Sequence, residues 1–545
     1  MKLIRLKLLS SFRGLQEGFE IKFDNDIINS KFLEPICFVG QNGCGKSNVM
    51  EALSEIFYEL ELMHLNYSDD DNEGLLLNNK ESYGYEIEYL LPLKKILDIK
   101  DADFSDYRYD WIKVKKEKGG SPLFFIKNES GYQWVNDRNY RKELLPAKII
   151  GYSSGMNELI SSPFIKMRFN YFNEFEMNLK DEFKTDIEGS RMFYMDYETN
   201  SLILISNYLI HDFNRIDVIN EILNVCKLHS FRIIIQLSGT EIDETYNIKK
   251  DETIESVITK LKKCATCYYD ELKTDKKTII LDYFVNKATQ KAFKHYFNSA
   301  AELYGIFYLL NSLNAYAIPS YQRKRIMKSK NASTLAGIIP KTTDDNLIFR
   351  IENILLCKNG VKEPIHYRKF SDGEHQLMQT IGAVLLIDDP GTLFLMDEPE
   401  THFNPQWRSK FVSTLNKITE NEAAGRQQEL ILTTHSPFIL SDCQTHNVFK
   451  FERKDSIVNA ENPKIHTYGT SFSILYKEIF DKENTISDLA AENIQRLKNE
   501  TIETSEDIER IKDEVLELGE SAEKFFLLSY LNKKEKQINS KGDDK

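Results

Sequence analysis

The chain has 545 residues, 41% hydrophobic and 28% charged, the proportions of a folded globular protein with room for roughly two to four domains. Its net charge of −13 argues against a surface that coats nucleic acid as a whole, although a local basic patch survives such a sum. No stretch approaches the about 20 continuous apolar residues of a membrane span, and Met1–Lys7 lacks the apolar core of a secretory signal. A cytoplasmic protein without membrane contact is therefore expected.

The seven cysteines stand at scattered positions. Cys264-Ala-Thr-Cys267 is a lone C-x-x-C with no second Cys/His pair, which makes a poor zinc site; a reduced, structural pair is the expectation. Cys44, inside a glycine-rich loop, is given no role.

In chain order, Leu3–Lys7 suggests an opening strand and Phe12-Arg13-Gly14-Leu15 a turn. Ile36–Val39 is a short apolar run with strand character. It enters Gly-Gln-Asn-Gly-Cys-Gly-Lys-Ser at residues 40–47, a complete G-x-x-x-x-G-K-S loop, and Asn48–Leu53 after it is helix-compatible. That context lets backbone N–H groups curl around phosphates at a helix N-terminus. Lys46 would reach the β/γ-phosphates and Ser47 would hold Mg²⁺.

Residues 65–80 read as an acidic loop. Across 84–150, runs such as Tyr85–Leu90 and Pro122–Ile126 suggest an antiparallel sheet. Pro146–Gly155 is a strand running into a polar loop. From 160 to 345 the pattern turns mainly helical, with buried helices at Ser201–Ile210 and Ala300–Leu310 and a strand at Phe231–Leu237. No heptad repeat persists long enough for a coiled coil, so the insertion is globular. Gln322–Lys330 is the densest basic run; with Tyr316 and Tyr321 upstream it is the first choice for nucleic-acid contact, weighed against a solvated helix face.

Three motifs follow. Phe370-Ser371-Asp372-Gly373-Glu374-His375-Gln376 precedes a helix at Leu377–Ile387, and read alone it is a helix N-cap. Thr392–Glu398 is an apolar strand, suited to burial on both faces, that ends in two carboxylates. Asp397 is placed to hold a Mg²⁺ water shell, and Glu398 to act as general base or to orient the attacking water. Leu430–Leu432 leads into Thr433-Thr434-His435-Ser436, where an imidazole can sense a phosphate. Strands such as Val448–Phe451 close this region. The chain beyond Asn484 is charged and helical, amphipathic over Glu503–Leu518, and Lys533–Lys545 reads as a disordered polar tail.

Together the four motifs resemble the ATPase head of the ABC superfamily, in its SMC-, RecF- and OLD-like branch. The wording G-x-N-G-x-G-K-S-N, then D-E-P-E-x-H, then T-T-H-S carries the likeness, and Phe370-Ser-Asp-Gly-Glu stands in for L-S-G-G-[EQ]. Within that branch the chain is most similar to the Septu antiphage-defence ATPases (PtuA), of the retron-associated type; Pro146–Gly155 and Met192–Glu198 followed by Ser201–Leu209 add to this.

The resemblance implies an α/β ABC-type P-loop head, with a mixed sheet, an antiparallel subdomain and a mainly helical insertion. Its halves would occupy 1–160 and 346–480, the insertion 161–345, and a helical segment with a polar tail 481–545. ATP would be held by Gly40, Asn42, Gly43, Gly45, Lys46, Ser47 and Asn48, with Arg13 beside it. Mg²⁺ would lie on Ser47 and Asp397, with Glu398 and His435 catalytic. Ser371, Gly373 and Glu374 would contact the nucleotide of a second copy, in a sandwich dimer or higher oligomer. The superfamily's Q-loop glutamine is missing near Pro146–Gly155, where Asn157 or Glu158 would substitute. Implied partners are an HNH nuclease (PtuB) and, in retron versions, a reverse transcriptase with its RNA–DNA product. A RecF-like repair ATPase that binds DNA directly, and a scaffold in which nucleotide is structural, remain open alternatives.

Overall fold

The computed structural model describes residues 1–23, 33–65, 82–92, 109–155, 158–180, 190–236, 252–273, 276–329, 335, 339–340, 342–420, 427–482, 486–502 and 504–542. Its centre is a seven-stranded sheet. In spatial order the strands are Ile457–Glu461, Val448–Lys454, Ile36–Val39, Glu429–Thr433, Leu393–Asp397, Ile149–Ser153 and Met192–Tyr194. All pair in parallel except the Ile457–Glu461 edge.

Three strands come from far-separated parts of the chain and stand flush. Asp397 is opposite Thr433, and Thr433 is opposite Phe38. The middle strands are apolar throughout because both faces are covered. Leu393, Leu395, Ile431, Ile36 and Phe38 face one core, while Phe394, Met396, Leu430, Leu432, Cys37 and Val39 face the other.

The first core is closed by the Lys46–Leu62 helix and a six-stranded antiparallel sheet. Its order is Glu20–Lys22, Lys2–Leu8, Tyr85–Pro92, Tyr109–Lys116, Leu123–Asn128 and Gly131–Val135. The second is closed by the helices Tyr197–Ile210, Asp372–Leu386 and Pro405–Thr419, and it continues without a break into Ala300–Ser312. Tyr197–Ile210 starts at a capping box in which Asp196 and Thr199 satisfy each other's backbone amides.

The stretch 161–345 carries strands as well as helices. Val225–Gln236 pairs with Lys276–Phe284 and, beyond residue 345, with Phe349–Lys358, in a five-stranded antiparallel sheet completed by Cys267–Lys273 and Ile365–His366. Its apolar side chains Phe231, Ile233, Ile279 and Leu281 belong to the second core.

The sequence misreads two segments. The basic run does not offer Tyr316 for stacking: Tyr316 is buried, edge-on to Phe172. Arg323 is buried as well; it donates to the carbonyls of Ala315 and Ile318, pairs with Glu176 and lies over Phe172. An arginine with those partners is a structural cross-link, which leaves Tyr321, Lys324, Arg325 and Lys328 on the exposed side. The tail is helical through Gly542, in Ala522–Gly542, because Lys, Glu and Gln are good helix formers and Leu527 and Leu531 anchor it. These two pack with Ile494, Leu497, Ile508, Ile511 and Val515 in a small separate core built from Asp488–Asn499 and Ser505–Leu516. Of the acidic loop at 65–80, all but Leu65 lies outside the described residues, as does Asn157; Glu158 begins the Glu158–Lys180 helix.

That helix packs tightly on the sheet. A Cβ on Gly151 would fall 2.4 Å from Cε2 of the buried Phe164 ring. Gly151→Ala should therefore destabilise the fold by about 1–3 kcal/mol through overpacking, read as a lower midpoint in denaturant unfolding.

Candidate phosphate-binding site

Five sequence-predicted side chains, Lys46, Ser47, Asp397, Glu398 and His435, meet at the C-terminal edge of the central sheet. The chain leaves the Ile36–Val39 strand through Gly40, Gly43 and Gly45, whose φ angles of 136°, 76° and 109° lie in the left-handed region that favours glycine. Gly40 also has no room: a Cβ there would lie 2.4 Å from the carbonyl oxygen of Phe451. The loop enters the Lys46–Leu62 helix at Gly45 without a side-chain cap. Its first amides are thus left for an anion.

Lys46 is buried and folded back onto the loop, its Nζ 2.8 Å from the Gly40 carbonyl and 3.0 Å from that of Gln41. Burial lowers its pKa, while the nearby thiol of Cys44 and the carboxylates of Glu398 and Asp397 oppose that shift. Ser47 Oγ lies 3.3 Å from Asp397 Oδ1, and the same oxygen accepts from Thr433 Oγ1 at 2.5 Å. A hydroxyl and a carboxylate converging this way are the hard oxygen donors that suit Mg²⁺, which is held by few protein ligands and keeps several waters. Asn42 is exposed, and Asn48 is half-buried against Gly14.

Glu398 follows in a strained backbone, φ 48°. Its N–H donates to the Thr433 carbonyl (3.2 Å) and hydroxyl (3.0 Å). Its carbonyl accepts from Thr401 Oγ1 at 2.9 Å and from Gln376 Nε2 at 3.4 Å. The carboxylate is left partly exposed, with Oε1 3.7 Å from His435 Nε2. That nitrogen is buried and has no hydrogen-bond partner among the described residues. Burial first, and then the Lys46 cation, lower the His435 pKa against the pull of Glu398 and Asp397, so the imidazole is neutral at pH 7. Phe480 lies over the ring, centroids 6.1 Å apart.

The remaining expected residues stand elsewhere. Arg13, at φ 51°, is paired with Glu51 of the loop's helix, Nη2 to Oε1 2.8 Å. Burial pushes Glu51 up to about 7 while Arg13 pulls it down. Ser371 caps the Asp372–Leu386 helix in a capping box with Glu374, and Glu374 is also paired with Lys358. The cap seen in the bare sequence is thus formed. Gly373 is required by close approach, since a Cβ would lie 2.7 Å from the His402 carbonyl. Cys264 is buried and Cys267 exposed, and no cluster of three metal-ligating side chains occurs among the described residues.

Three residues escaped the sequence reading. Thr433 ties Asp397 to the backbone of Glu398. Gln376 accepts from the His402 N–H (2.8 Å) and donates to the Tyr152 hydroxyl (2.9 Å), linking the Ser371 helix to the segment after Glu398. Arg453 donates to the carbonyls of Gly43 (2.9 Å) and Gly14 (3.0 Å). Thr433 and Gln376 lie inside quoted motifs; nothing in sequence marks Arg453.

Comparison with known proteins agrees with a nucleotide site. Residues 252–441 match a family described as AAA domain, putative AbiEii toxin, Type IV TA system. The match takes in Ser371, Asp397, Glu398 and His435 and begins after the glycine loop. With the loop geometry it supports an ATPase domain. The chain is 30% identical over 119 residues to Protein ea59 of Escherichia phage lambda, which is 22% of this chain and 22% of that protein. An Smc head domain with coiled coil and joint from Pyrococcus yayanosii aligns over 85% of this chain and 97% of its own, at 12% identity and a TM-score of 0.31, a likeness too slight to add to the fold described above.

Removing the Lys46 charge should raise the His435 pKa, since that cation disfavours the imidazolium. ¹³C-histidine NMR of Lys46→Ala checks this: the His435 signal should begin to protonate at higher pH than in the wild-type chain.

Proposed function

We propose that the chain is a Mg²⁺-dependent ATPase of the ABC/SMC-like kind, which closes two copies around ATP and controls a separately encoded HNH nuclease in antiphage defence. The observation that carries the ATPase reading is the convergence of Lys46, Ser47, Asp397, Glu398 and His435 on one uncapped helix N-terminus. Bound Mg²⁺, on Ser47 and Asp397, would supply charge neutralisation at the phosphates.

The chain's own groups do the rest. The loop amides and Lys46 bind and orient the phosphates. Glu398, fixed through both of its peptide groups, holds the attacking water or takes its proton. His435 donates one hydrogen bond to the phosphate through Nε2 in the tautomer that carries its proton there. The Ser371 helix of a second copy would complete this environment, so that hydrolysis and closure are coupled. Nucleotide then biases a two-state switch.

The nuclease and defence parts draw on the motif wording shared with Septu ATPases. They draw also on a family description that joins this kind of AAA domain to a toxin system, and on the partial likeness to a phage protein. A reverse transcriptase with its RNA–DNA product is the further partner of a retron version.

Glu398→Gln should keep ATP binding and lose about 10²-fold or more in hydrolysis, whereas Lys46→Ala should lose binding, both read by nucleotide titration and phosphate release. Affinity capture from the native operon should return a small HNH protein. Recovery of the chain alone, with tight, salt-sensitive affinity for bare DNA, would instead favour a RecF-like repair ATPase.

A further inference from the structure

Glu400 has no part in the chemistry above, yet it is one of the most deeply buried carboxyls in the chain, 4% exposed. It sits two residues past Glu398, and its Oε1 is hydrogen-bonded to Thr434 Oγ1. That hydroxyl also accepts from the Ser436 N–H at 3.0 Å. A hydroxyl has one proton. With its oxygen receiving the Ser436 amide, Thr434 turns that proton to Glu400, and Oε1 is the acceptor.

The consequence falls on His435, which lies between the two bonded residues. Thr434 N–H is tied to the Phe38 carbonyl at 3.1 Å, in the strand that feeds the glycine loop. Ser436 N–H is tied to Thr434 Oγ1, and the Ser436 carbonyl accepts from Leu440 N–H in the following turn. The peptide that follows His435 is therefore held through the Ser436 N–H, with the backbone anchored again one peptide further out on each side, and the hydroxyl that holds that following peptide is itself oriented by Glu400. The Glu400 backbone is held in turn, its carbonyl accepting from Phe403 N–H at 2.9 Å and from Arg408 Nε at 3.3 Å. The second carboxyl oxygen, Oε2, is buried without a hydrogen-bond partner among the described residues, a state that costs free energy and so calls for a role. Burial drives this carboxyl up to about 7, with the Thr434 hydroxyl pulling the other way.

We propose that Glu400 is a positioning residue for His435, acting through the Thr434 hydroxyl to hold the imidazole towards Glu398 and the phosphate site. The inference rests on the ATPase reading for its catalytic readout, but not for its structural one. Glutamine preserves the accepting oxygen and leucine removes it at similar volume, so Glu400→Gln and Glu400→Leu separate positioning from bulk.

The test uses the full chain. ATP affinity, kcat and KM are measured for the wild type and both variants, alone and in a His435→Gln background, with ¹³C-histidine NMR of the His435 ring. Glu400→Leu should lower kcat by about 10- to 100-fold, the scale of a small misplacement, with ATP affinity within about twofold, while Glu400→Gln stays near wild type. In the His435→Gln background Glu400→Leu should cost nothing further, and the His435 resonance should move in Glu400→Leu only. Additive losses, or a resonance unmoved in both variants, overturn the proposal. Lost ATP affinity in Glu400→Leu marks a collapsed site, and Thr434→Val, which removes the same link from the other side, then decides: it must move the His435 resonance, or the proposal falls. Should the wild type turn over no faster than Lys46→Ala, the ATPase reading is lost, and the NMR arm alone decides the positioning.

Discussion

The parallel register that sets Asp397 beside Thr433 and Thr433 beside Phe38 is the constraint on which the rest of the molecule depends. It brings together chain ends separated by most of the sequence, and it does so without help from the polar groups themselves. What holds it is burial. Each strand sends alternate residues into two cores, and a shift by one position would exchange the sets. Leu395 would lose its place among Ile431, Val49 and Leu6, and Met396 its place among Leu430 and Leu432. With the apolar register fixed, Ser47, Asp397 and Thr433 have no freedom left except rotamer choice, and the short Thr433–Asp397 hydrogen bond uses that up.

This explains why the site was so legible in the sequence. A buried parallel strand must be written as an unbroken apolar run, and its functional residues must stand where the run ends, at the mouth of the sheet. Ile36–Val39, Leu393–Asp397 and Glu429–Thr433 were therefore recognisable with their chemistry attached. The five-stranded sheet was harder. Val225–Gln236 mixes Lys227, His229 and Arg232 with its core residues, and its partners lie on both sides of residue 345, so only its apolar end, from Phe231 on, is legible as a strand. The Gln322–Lys330 run shows the same limit from the other direction. A guanidinium in a basic stretch looks solvated until the Glu176 carboxylate and two carbonyls are found around it. Arg453 had no local signal at all, because its role depends on Gly43 and Gly14, whose proximity only the fold creates.

The Ser371 helix raises a question of competition. Its serine hydroxyl is already engaged in the capping box, so a phosphate from a second copy could recruit it only by displacing Glu374. The bond given up, from the Ser371 hydroxyl to the Glu374 carboxylate, is itself a hydrogen bond to a charged oxygen, of the same scale of about 1.5–3 kcal/mol as one to a phosphate, and the Glu374 N–H can stay on Ser371 Oγ throughout. The exchange is therefore close to even and hence reversible, which would suit a contact made and broken with each nucleotide. The released Glu374 is not stranded, since Lys358 remains beside it.

Any such contact would be felt at Glu398 through groups that do not touch nucleotide. Gly373 lies against the His402 carbonyl so closely that a methyl would not fit, and Gln376, one turn along the same helix, binds the His402 N–H and reaches the Glu398 carbonyl. The helix start and the segment 398–402 are thus clamped from both sides of one residue, His402. A shift of the helix cannot leave that segment behind, and the segment begins at a residue held at φ 48°. Strain of that kind persists only while its surroundings over-determine it. Moving the clamp would change how firmly Glu398 is held, and so would couple any contact that a second copy made at Ser371 to the group best placed to handle water.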